Sequence, residues 1–191
     1  VAVKPLKGAS LDYLHAWRVN RVFGPDSPQG IWRDTGIHAA RAAYAIKNVG
    51  TISGYGLWLD IPSAPASSSR TLGVRMAGEL PVGKGKSVLY AAEYARQHDH
   101  GANPRRFALD YWLFEPGVKL GAVSLKAGYE RLEGNGTAAL QTPLATLHAF
   151  NGWADKFLTT PANGLRDVYV DAAYKVPGKG TLAGLTLRAA W

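Results

Sequence analysis

Apolar and polar side chains alternate with a period of two along nine segments of this chain, and this alternation constrains its fold more than any other feature. In residues 71–80, Leu72, Val74 and Met76 share one face, whereas Arg75 lies on the other. The same alternation is found in 11–20, 40–47, 49–59, 87–94, 106–113, 123–130, 167–175 and 184–191. A period of two is typical of a β-strand with two different faces. The chain is therefore predicted to be all-β.

The length of these segments indicates which all-β fold they form. Ordinary strands average about 5–6 residues, whereas a tilted strand that crosses a bilayer needs about 9–11. Tyr and Trp residues also lie near segment ends, where transmembrane barrels carry aromatic girdles. A soluble β-sandwich or lipocalin-like barrel with one wet face explains the alternation equally well, but it explains the strand length and the aromatic residues less well. The sequence thus favours an antiparallel transmembrane β-barrel.

The composition excludes several other classes of protein. The chain has no cysteine, which excludes a disulfide framework, thiolate metal sites and cysteine nucleophiles. No run of about 18 apolar residues predicts a transmembrane helix. The first eight residues, VAVKPLKG, contain no apolar signal core, so we expect a mature chain or a piece of a longer one. The net charge is +8, but the basic residues are spread over two-faced strands, which argues against nucleic-acid binding.

The connections between the segments alternate between short and long. The short ones are 47–50, 81–86 and 115–121, and the long ones are 23–36, 61–70 and 97–105. Outer-membrane barrels have short periplasmic turns and longer outer loops, and Trp191 is typical of a final strand that descends to the periplasm. Parity then requires one more strand, placed at 141–150, which brings the total to ten. On this assignment 151–165 is a long periplasmic loop, and 1–191 is a single barrel domain.

Four stretches of the chain resemble the alginate-export family of outer-membrane porins. They are TPLATLHAFNGWADKFLTTPANGL (142–165), DVYV (167–170), LRAAW (187–191) and DYLHAWRV (12–19). The resemblance implies a barrel of roughly eighteen strands with an arginine-rich pore, of which this chain would supply the C-terminal half. It also implies the outer membrane of a Gram-negative bacterium as the location, an alginate-like polyuronate as the substrate, and periplasmic export components as partners beside the membrane lipid.

Charged side chains on the inward face are the candidate lining of the pore. The basic candidates are Arg18, Arg41, Arg75, Lys126 and Arg188, and the acidic ones are Glu93, Asp110 and Asp171. Basic rings would attract an anionic polysaccharide or small anions, because guanidinium groups match carboxylates in geometry and charge. The alternative is a ladder of structural salt bridges in a polar lumen. In the loop 151–165, a gating group packed into the barrel mouth is predicted from Trp153, Asp155, Lys156 and Phe157.

Other residue types that can carry chemistry give weaker signals. Ser10, His15 and Asn20 are of the types found in hydrolases, but their spacing gives no evidence that they converge. The pair His98 and His100 lacks a third metal ligand nearby, and GKGKS (83–87) lacks phosphate-loop spacing and is predicted to be a basic turn. The sequence therefore predicts a passive channel for anions, with no enzyme activity, cofactor or metal. A general or other substrate-specific porin, or a structural barrel fragment held by a partner chain, is the alternative.

Overall fold

The structure is a computed structural model that describes residues 1–28, 30–144, 157 and 159–191. Ten strands are found in this part of the chain: β1 (Ala2–Val3), β2 (Ala9–Asn20), β3 (Ile31–Ile46), β4 (Gly50–Asp60), β5 (Ser69–Gly83), β6 (Lys86–Asp99), β7 (Ala108–Leu120), β8 (Val123–Glu133), β9 (Gly164–Lys175) and β10 (Thr186–Ala190). Strands β2 to β9 are 11 to 16 residues long, somewhat longer than the predicted segments and long enough to cross a bilayer. Within these ranges the helical residues form a single turn, Pro65–Ser67, and no helix is long and apolar enough to cross a membrane.

The strands form one antiparallel sheet in which each strand pairs with its neighbours in sequence, in the order β1 to β10. The register fixes which residues share a face, because successive side chains of a strand point to opposite sides. Arg75 of β5 lies opposite Glu93 of β6, and Gly73 of β5 lies opposite Tyr55 of β4. We call the face that carries Arg75 the polar face and the other the apolar face. Among the described strands, β1 and β10 form the two edges of the sheet.

The apolar face exposes large hydrophobic side chains along the sheet. Leu72, Val74 and Leu187 are 57%, 47% and 57% exposed. Met76 and Tyr90 lie on the same face, so all five have the predicted outward orientation. Soluble monomeric proteins seldom expose so continuous an apolar surface, whereas strands that face lipid require one. The exposed hydrophobic surface therefore fits a sheet whose apolar face is covered by membrane.

The tenth strand is not the predicted one. β8 pairs directly with β9 in antiparallel register, so no strand from 141–150 lies between them. Residues 145–150 themselves lie outside the described part of the chain. The parity argument is wrong because it requires β8 and β9 to run in the same direction. The tenth strand of the sheet is Ala2–Val3 instead, and the backbone of Trp191 pairs with that of Val170 in the middle of β9.

The two ends of the sheet differ in the length of their connections, as the sequence predicts. The turns 47–49, 84–85 and 121–122 lie at one end, which we call the short-turn end, together with 176–185. The connections 21–30, 61–68, 100–107 and 134–163 start and finish at the other, which we call the long-connection end. The connection that contains most of 151–165 therefore starts and finishes at the long-connection end, whereas the parity argument required the short-turn end.

Two strands present the opposite faces to those predicted from alternation, which places Leu59 in 49–59 and Leu109 in 106–113 on the outward face. Leu59 of β4 and Leu109 of β7 lie on the polar face, and each is only 1% exposed. The residues that cover them come from long connections: Leu59 packs in a cluster with Ile61, and Leu109 packs in a cluster with Leu140. Because these connections exclude water, an apolar residue on the polar face contacts neither lipid nor solvent. Alternation alone cannot separate this arrangement from a lipid-facing residue.

Two candidate lining residues consequently lie on the apolar face, contrary to prediction. Asp110 of β7 lies opposite Arg96 of β6 and forms an ion pair with it at 3.6 Å. Arg18 lies beyond a register shift in the pairing of β2 with β3, where it is opposite Arg33. Its neighbour Val19 packs against the inner cluster of Leu59 and Ile61, so Arg18 must point to the other side of the sheet. The register shift breaks the period of two on which the prediction depended.

Candidate channel lining

A belt of ion pairs lies on the polar face, and we call it the charged belt. Its pairs are Arg41 with Asp12 at 3.5 Å, Arg75 with Glu93 at 2.6 Å, Lys126 with Glu115 at 3.0 Å, and Arg188 with Asp171. Each pair joins neighbouring strands at opposite or diagonal positions, where side chains on one face meet. The belt includes six of the predicted lining residues, namely Arg41, Arg75, Lys126, Arg188, Glu93 and Asp171.

In each pair of the charged belt, the basic side chain is more exposed than the carboxylate. Arg75 is 39% exposed and Glu93 13%, and Arg188 is 64% exposed and Asp171 9%. In these two pairs the carboxylate lies close to the wall of the sheet and the cationic group extends beyond it, whereas Arg41 and Asp12 are exposed almost equally, at 50% and 44%. Because Coulomb energy falls with distance, a charge that extends away from the wall acts on a passing ion more strongly than one that lies behind it. Although the formal charges of the belt balance, the belt presents positive charge to the space in front of it.

Tyr55 reaches the charged belt by crossing a neighbouring strand. It extends from β4 over Gly73 of β5, and its hydroxyl donates a hydrogen bond to Glu93 Oε1 on β6 at 2.5 Å. A Cβ atom at Gly73 would lie 2.4 Å from Cζ of Tyr55, so a larger residue there would displace the ring. Glu93 thus binds a guanidinium group with one oxygen and a phenol with the other. Both bonds hold this carboxylate against the wall.

Tyr169 repeats this arrangement on the same polar face, nearer the β10 edge of the sheet. It extends from β9 over Gly128 of β8, and its hydroxyl donates to Glu115 Oε2 on β7 at 2.7 Å. A Cβ atom at Gly128 would lie 2.0 Å from Cζ of Tyr169. Between these two crossings, Tyr111 donates to Glu130 at 2.6 Å. No signal in the sequence predicts these crossings, because alternation predicts the face of a tyrosine or glycine but not which neighbouring strand a tyrosine side chain crosses.

The connection between β8 and β9 is fastened to the polar face by reciprocal amide hydrogen bonds. Gln97 of β6, only 3% exposed, donates from Nε2 to the backbone oxygen of Gln141 and accepts from its backbone N–H, both at 2.9 Å. The side chain of Gln141 in turn donates to the backbone oxygen of Thr160 at 2.8 Å and accepts from its N–H at 3.0 Å. Both arms of the connection, 134–144 and 159–163, are therefore joined to the wall. We call them the inner arms.

Apolar packing holds the first inner arm in front of the polar face. Leu140 packs with Leu109 of β7 and Leu132 of β8, and each of the three is at most 3% exposed. Of the predicted gating residues, Phe157 is described and is 38% exposed. Trp153, Asp155 and Lys156 lie outside the described residues. Near the long-connection end, the space in front of β6 to β8 is thus partly filled by the chain itself.

The remaining candidate groups do not assemble into a reactive site. Ser10 lies opposite Ala43 on the polar face, whereas His15 stacks on His38 on the apolar face, so Ser10 and His15 cannot converge. In the described ranges no three His, Cys, Asp or Glu side chains are grouped to hold a metal ion. The motif GKGKS contains the two-residue turn between β5 and β6, which confirms its interpretation as a basic turn.

A sheet of long antiparallel strands, apolar on one face and charged on the other, defines the wall of a transmembrane β-barrel. Solved structures of outer-membrane porins share this fold. The outer membrane protein OprD from Pseudomonas aeruginosa matches with a TM-score of 0.70 at 14% identity, over 99% of this chain and 46% of OprD. OpdL from Pseudomonas aeruginosa matches with a TM-score of 0.57 at 17% identity, over 100% of this chain and 65% of OpdL. OpdO matches with a TM-score of 0.57 at 18% identity, over 91% of this chain and 46% of OpdO.

At these identities the likeness shows the fold alone. The chain spans less than half the length of OprD and OpdO and about two thirds of OpdL. No family model matches the chain, and no curated protein matches it. The predicted outer-membrane porin fold is thus confirmed, whereas none of these comparisons identifies the alginate-export family.

Proposed function

We propose that this chain forms part of the wall of a passive channel in the outer membrane of a Gram-negative bacterium. The observation that carries the proposal is the charged belt, which lies on the polar face of a porin-type sheet whose other face is apolar. In a closed barrel the polar face lines the lumen and the apolar face contacts lipid. The chain's contribution is a set of fixed charges along the solute path.

The wall needs further strands to close. In the described sheet, β1 and β10 are edges, and each unpaired backbone polar group in the hydrocarbon region costs several kcal/mol. Strands of the same protein or of a partner chain that pair with these edges would complete the barrel. A complete barrel conducts as a substrate-specific or general porin, whereas a fragment held by a partner serves as a structural part of a larger wall.

We infer that the lumen favours anions, with a polyuronate such as alginate as the candidate substrate. The support is the unequal exposure within the belt, which is large where Arg75 and Arg188 extend beyond their carboxylates and smaller at Lys126 and Arg41. Guanidinium groups bind carboxylates through two parallel hydrogen bonds, so several of them along a lumen give weak, repeated binding to a polymer of uronic acids. Weak binding at many sites permits passage, whereas one tight site would retain the solute.

The inner arms set the width of this path near the long-connection end. In outer-membrane barrels the longer loops face the cell exterior, so we place the inner arms toward the outer side of the membrane. Gln97 and Gln141 hold the arms against β6, in front of the polar face. Solutes that enter from that side pass the arms before they reach the charged belt.

Ion selectivity in planar lipid bilayers tests the proposal. The double variant Arg41→Gln/Arg75→Gln removes two lumen charges and keeps polar side chains of similar length. Under a salt gradient, the reversal potential is expected to shift toward cation preference. Each removed charge should change the difference between the anion and cation entry barriers by on the order of 1 kcal/mol at low salt, and by less at high salt. The matched control Lys84→Gln/Lys86→Gln removes two charges at the short-turn end, outside the charged belt, and should shift the potential less.

Substrate competition separates the finer alternatives. For the wild type, a polyuronate should block the current at lower concentration than phosphate, and neutral sugars of similar size should not block it. If all three act alike, the channel is a general porin. If the wild type has no anion preference, or the double variant behaves like the control, the belt consists of structural salt bridges and the selectivity proposal fails.

A further inference from the structure

Arginines mark one boundary of the apolar face. On β5, β6, β8 and β9, an arginine occupies the first or second outward position counted from the long-connection end. These residues are Arg70, Arg96, Arg131 and Arg166. From these residues toward the short-turn end, the outward positions are mainly apolar, such as Leu72 on β5 and Val168 on β9. At the short-turn end, the same strands carry outward Val82, Lys86, Val123 and Tyr174. Arginine is thus concentrated at one rim of the apolar face.

Two of these arginines are direct cross-strand neighbours. Arg131 of β8 lies opposite Arg166 of β9 on the apolar face. Like charges at directly opposite positions destabilise a sheet unless a counter-charge lies between them. Arg131 has a partner in Glu133 at 3.2 Å, whereas Arg166 is exposed and has no carboxylate within ion-pair distance among the described residues. The pair therefore presents an excess of positive charge outward.

Aromatic residues beside the arginines indicate their depth in the membrane. Trp112 of β7 lies opposite Arg131 of β8, and its ring centroid is 4.4 Å from that of Tyr94 on β6. Trp and Tyr concentrate at the level of the lipid headgroups, at the margin of the hydrocarbon layer. Phe114, two residues further along β7, is 58% exposed on the lipid side. The arginine rim therefore lies at headgroup level and not in the hydrocarbon.

We propose that Arg131 and Arg166, flanked by Arg70 and by Arg96, which also pairs with Asp110 at 3.6 Å, bind the phosphate groups of lipid headgroups in the leaflet at the long-connection end. A phosphate has the charge that this pair lacks, and each guanidinium can donate two parallel hydrogen bonds to it. A phosphate between the two arginines also removes their mutual repulsion. The ligand class is a phosphorylated membrane lipid. The inference depends on the membrane location in the proposed function but not on conduction.

Lipid retention by the purified protein tests the site. The protein in a neutral maltoside detergent is mixed with lipid A that carries two phosphates or with its dephosphorylated form, and bound lipid is measured by native mass spectrometry. The wild type is expected to retain the phosphorylated form preferentially. Arg131→Gln/Arg166→Gln should weaken this retention roughly tenfold or more. Lys84→Gln/Lys86→Gln, with the same charge change at the other rim, should retain it like the wild type.

Controls for folding, for charge and for free phosphate make the outcome decisive. Folding of each variant is checked by its mobility in unboiled gels, and Arg131→Lys/Arg166→Lys serves where the glutamine variant does not fold. This variant keeps the charge but not the paired donors, so its retention should be intermediate. Competition by inorganic phosphate at millimolar concentration should displace little lipid, since the acyl chains also bind the apolar face.

Equal retention of both lipid forms by the wild type, or of phosphorylated lipid by the wild type and the arginine variants, would overturn the proposal. No current is measured, so a failure here leaves the channel proposal intact.

Discussion

Substituting Gly128 by alanine tests whether the tyrosine crossings hold the charged belt in place. The new Cβ would lie 2.0 Å from Cζ of Tyr169, so the ring must leave its position and its hydroxyl must leave Glu115, which it reaches at 2.7 Å. A hydrogen bond to a charged group contributes about 1.5–3 kcal/mol. In a strand, alanine otherwise stabilises relative to glycine by about 0.5–1 kcal/mol. We therefore expect Gly128→Ala to lower the free energy of unfolding by about 1–2 kcal/mol.

Denaturant unfolding from lipid vesicles, carried out as a double-mutant cycle, measures this effect. When Tyr169→Ala has already removed the ring, Gly128→Ala should be neutral or stabilising by up to about 1 kcal/mol. The coupling between the two positions should thus exceed about 1 kcal/mol. If Gly128→Ala has the same effect in both backgrounds, the glycine does not serve to seat the ring, and the reasoning about both crossings is wrong.

Three further outcomes are expected from single substitutions. Gln141→Ala removes the two side-chain hydrogen bonds that join the inner arms to each other and should raise single-channel conductance; an unchanged conductance would mean that the arms do not narrow the path. Glu93→Gln removes the carboxylate beneath Arg75 and should strengthen anion preference at low salt, whereas weaker preference would contradict the exposure argument. Asn48 has a φ of 58° in the turn 47–49, so in denaturant unfolding Asn48→Val should cost about 1 kcal/mol and Asn48→Gly almost nothing.

The sequence predicted the strands and most of their faces because lipid and water select opposite residue types at alternate positions. On β5 this selection is complete from Leu72 to Met76, and the predicted orientation is confirmed. It fails at Leu59 and Leu109, which are shielded by connections folded over the polar face. A third environment, the packed interior of the barrel mouth, accepts apolar residues on the polar side. A pattern that distinguishes only lipid-facing from water-facing positions cannot predict these residues.

The candidate site was predictable in its cations but not in its geometry. Arg75 and Lys126 interrupt apolar alternation and are visible in the sequence as inward charges. The contact of Tyr169 with Glu115 requires Gly128 to lie directly between them on the intervening strand, which depends on the register of β7, β8 and β9. That register is fixed by pairing across the whole sheet. The directions of β8 and β9, which decide the place of the inner arms, depend on it as well.

The orientation of β5 in the membrane tests the central claim, that the sheet is a barrel wall with lipid on one face and water on the other. Because the chain contains no cysteine, single substitutions Val74→Cys, Arg75→Cys, Met76→Cys and Ala77→Cys introduce one thiol each into the membrane-inserted protein. A charged, water-soluble methanethiosulfonate reagent should modify positions 75 and 77 readily and positions 74 and 76 roughly tenfold more slowly or not at all. A bilayer-resident quencher should show the reverse pattern with fluorescently labelled thiols. Equal reaction at all four positions, or rapid aqueous modification at 74 and 76, would contradict the account.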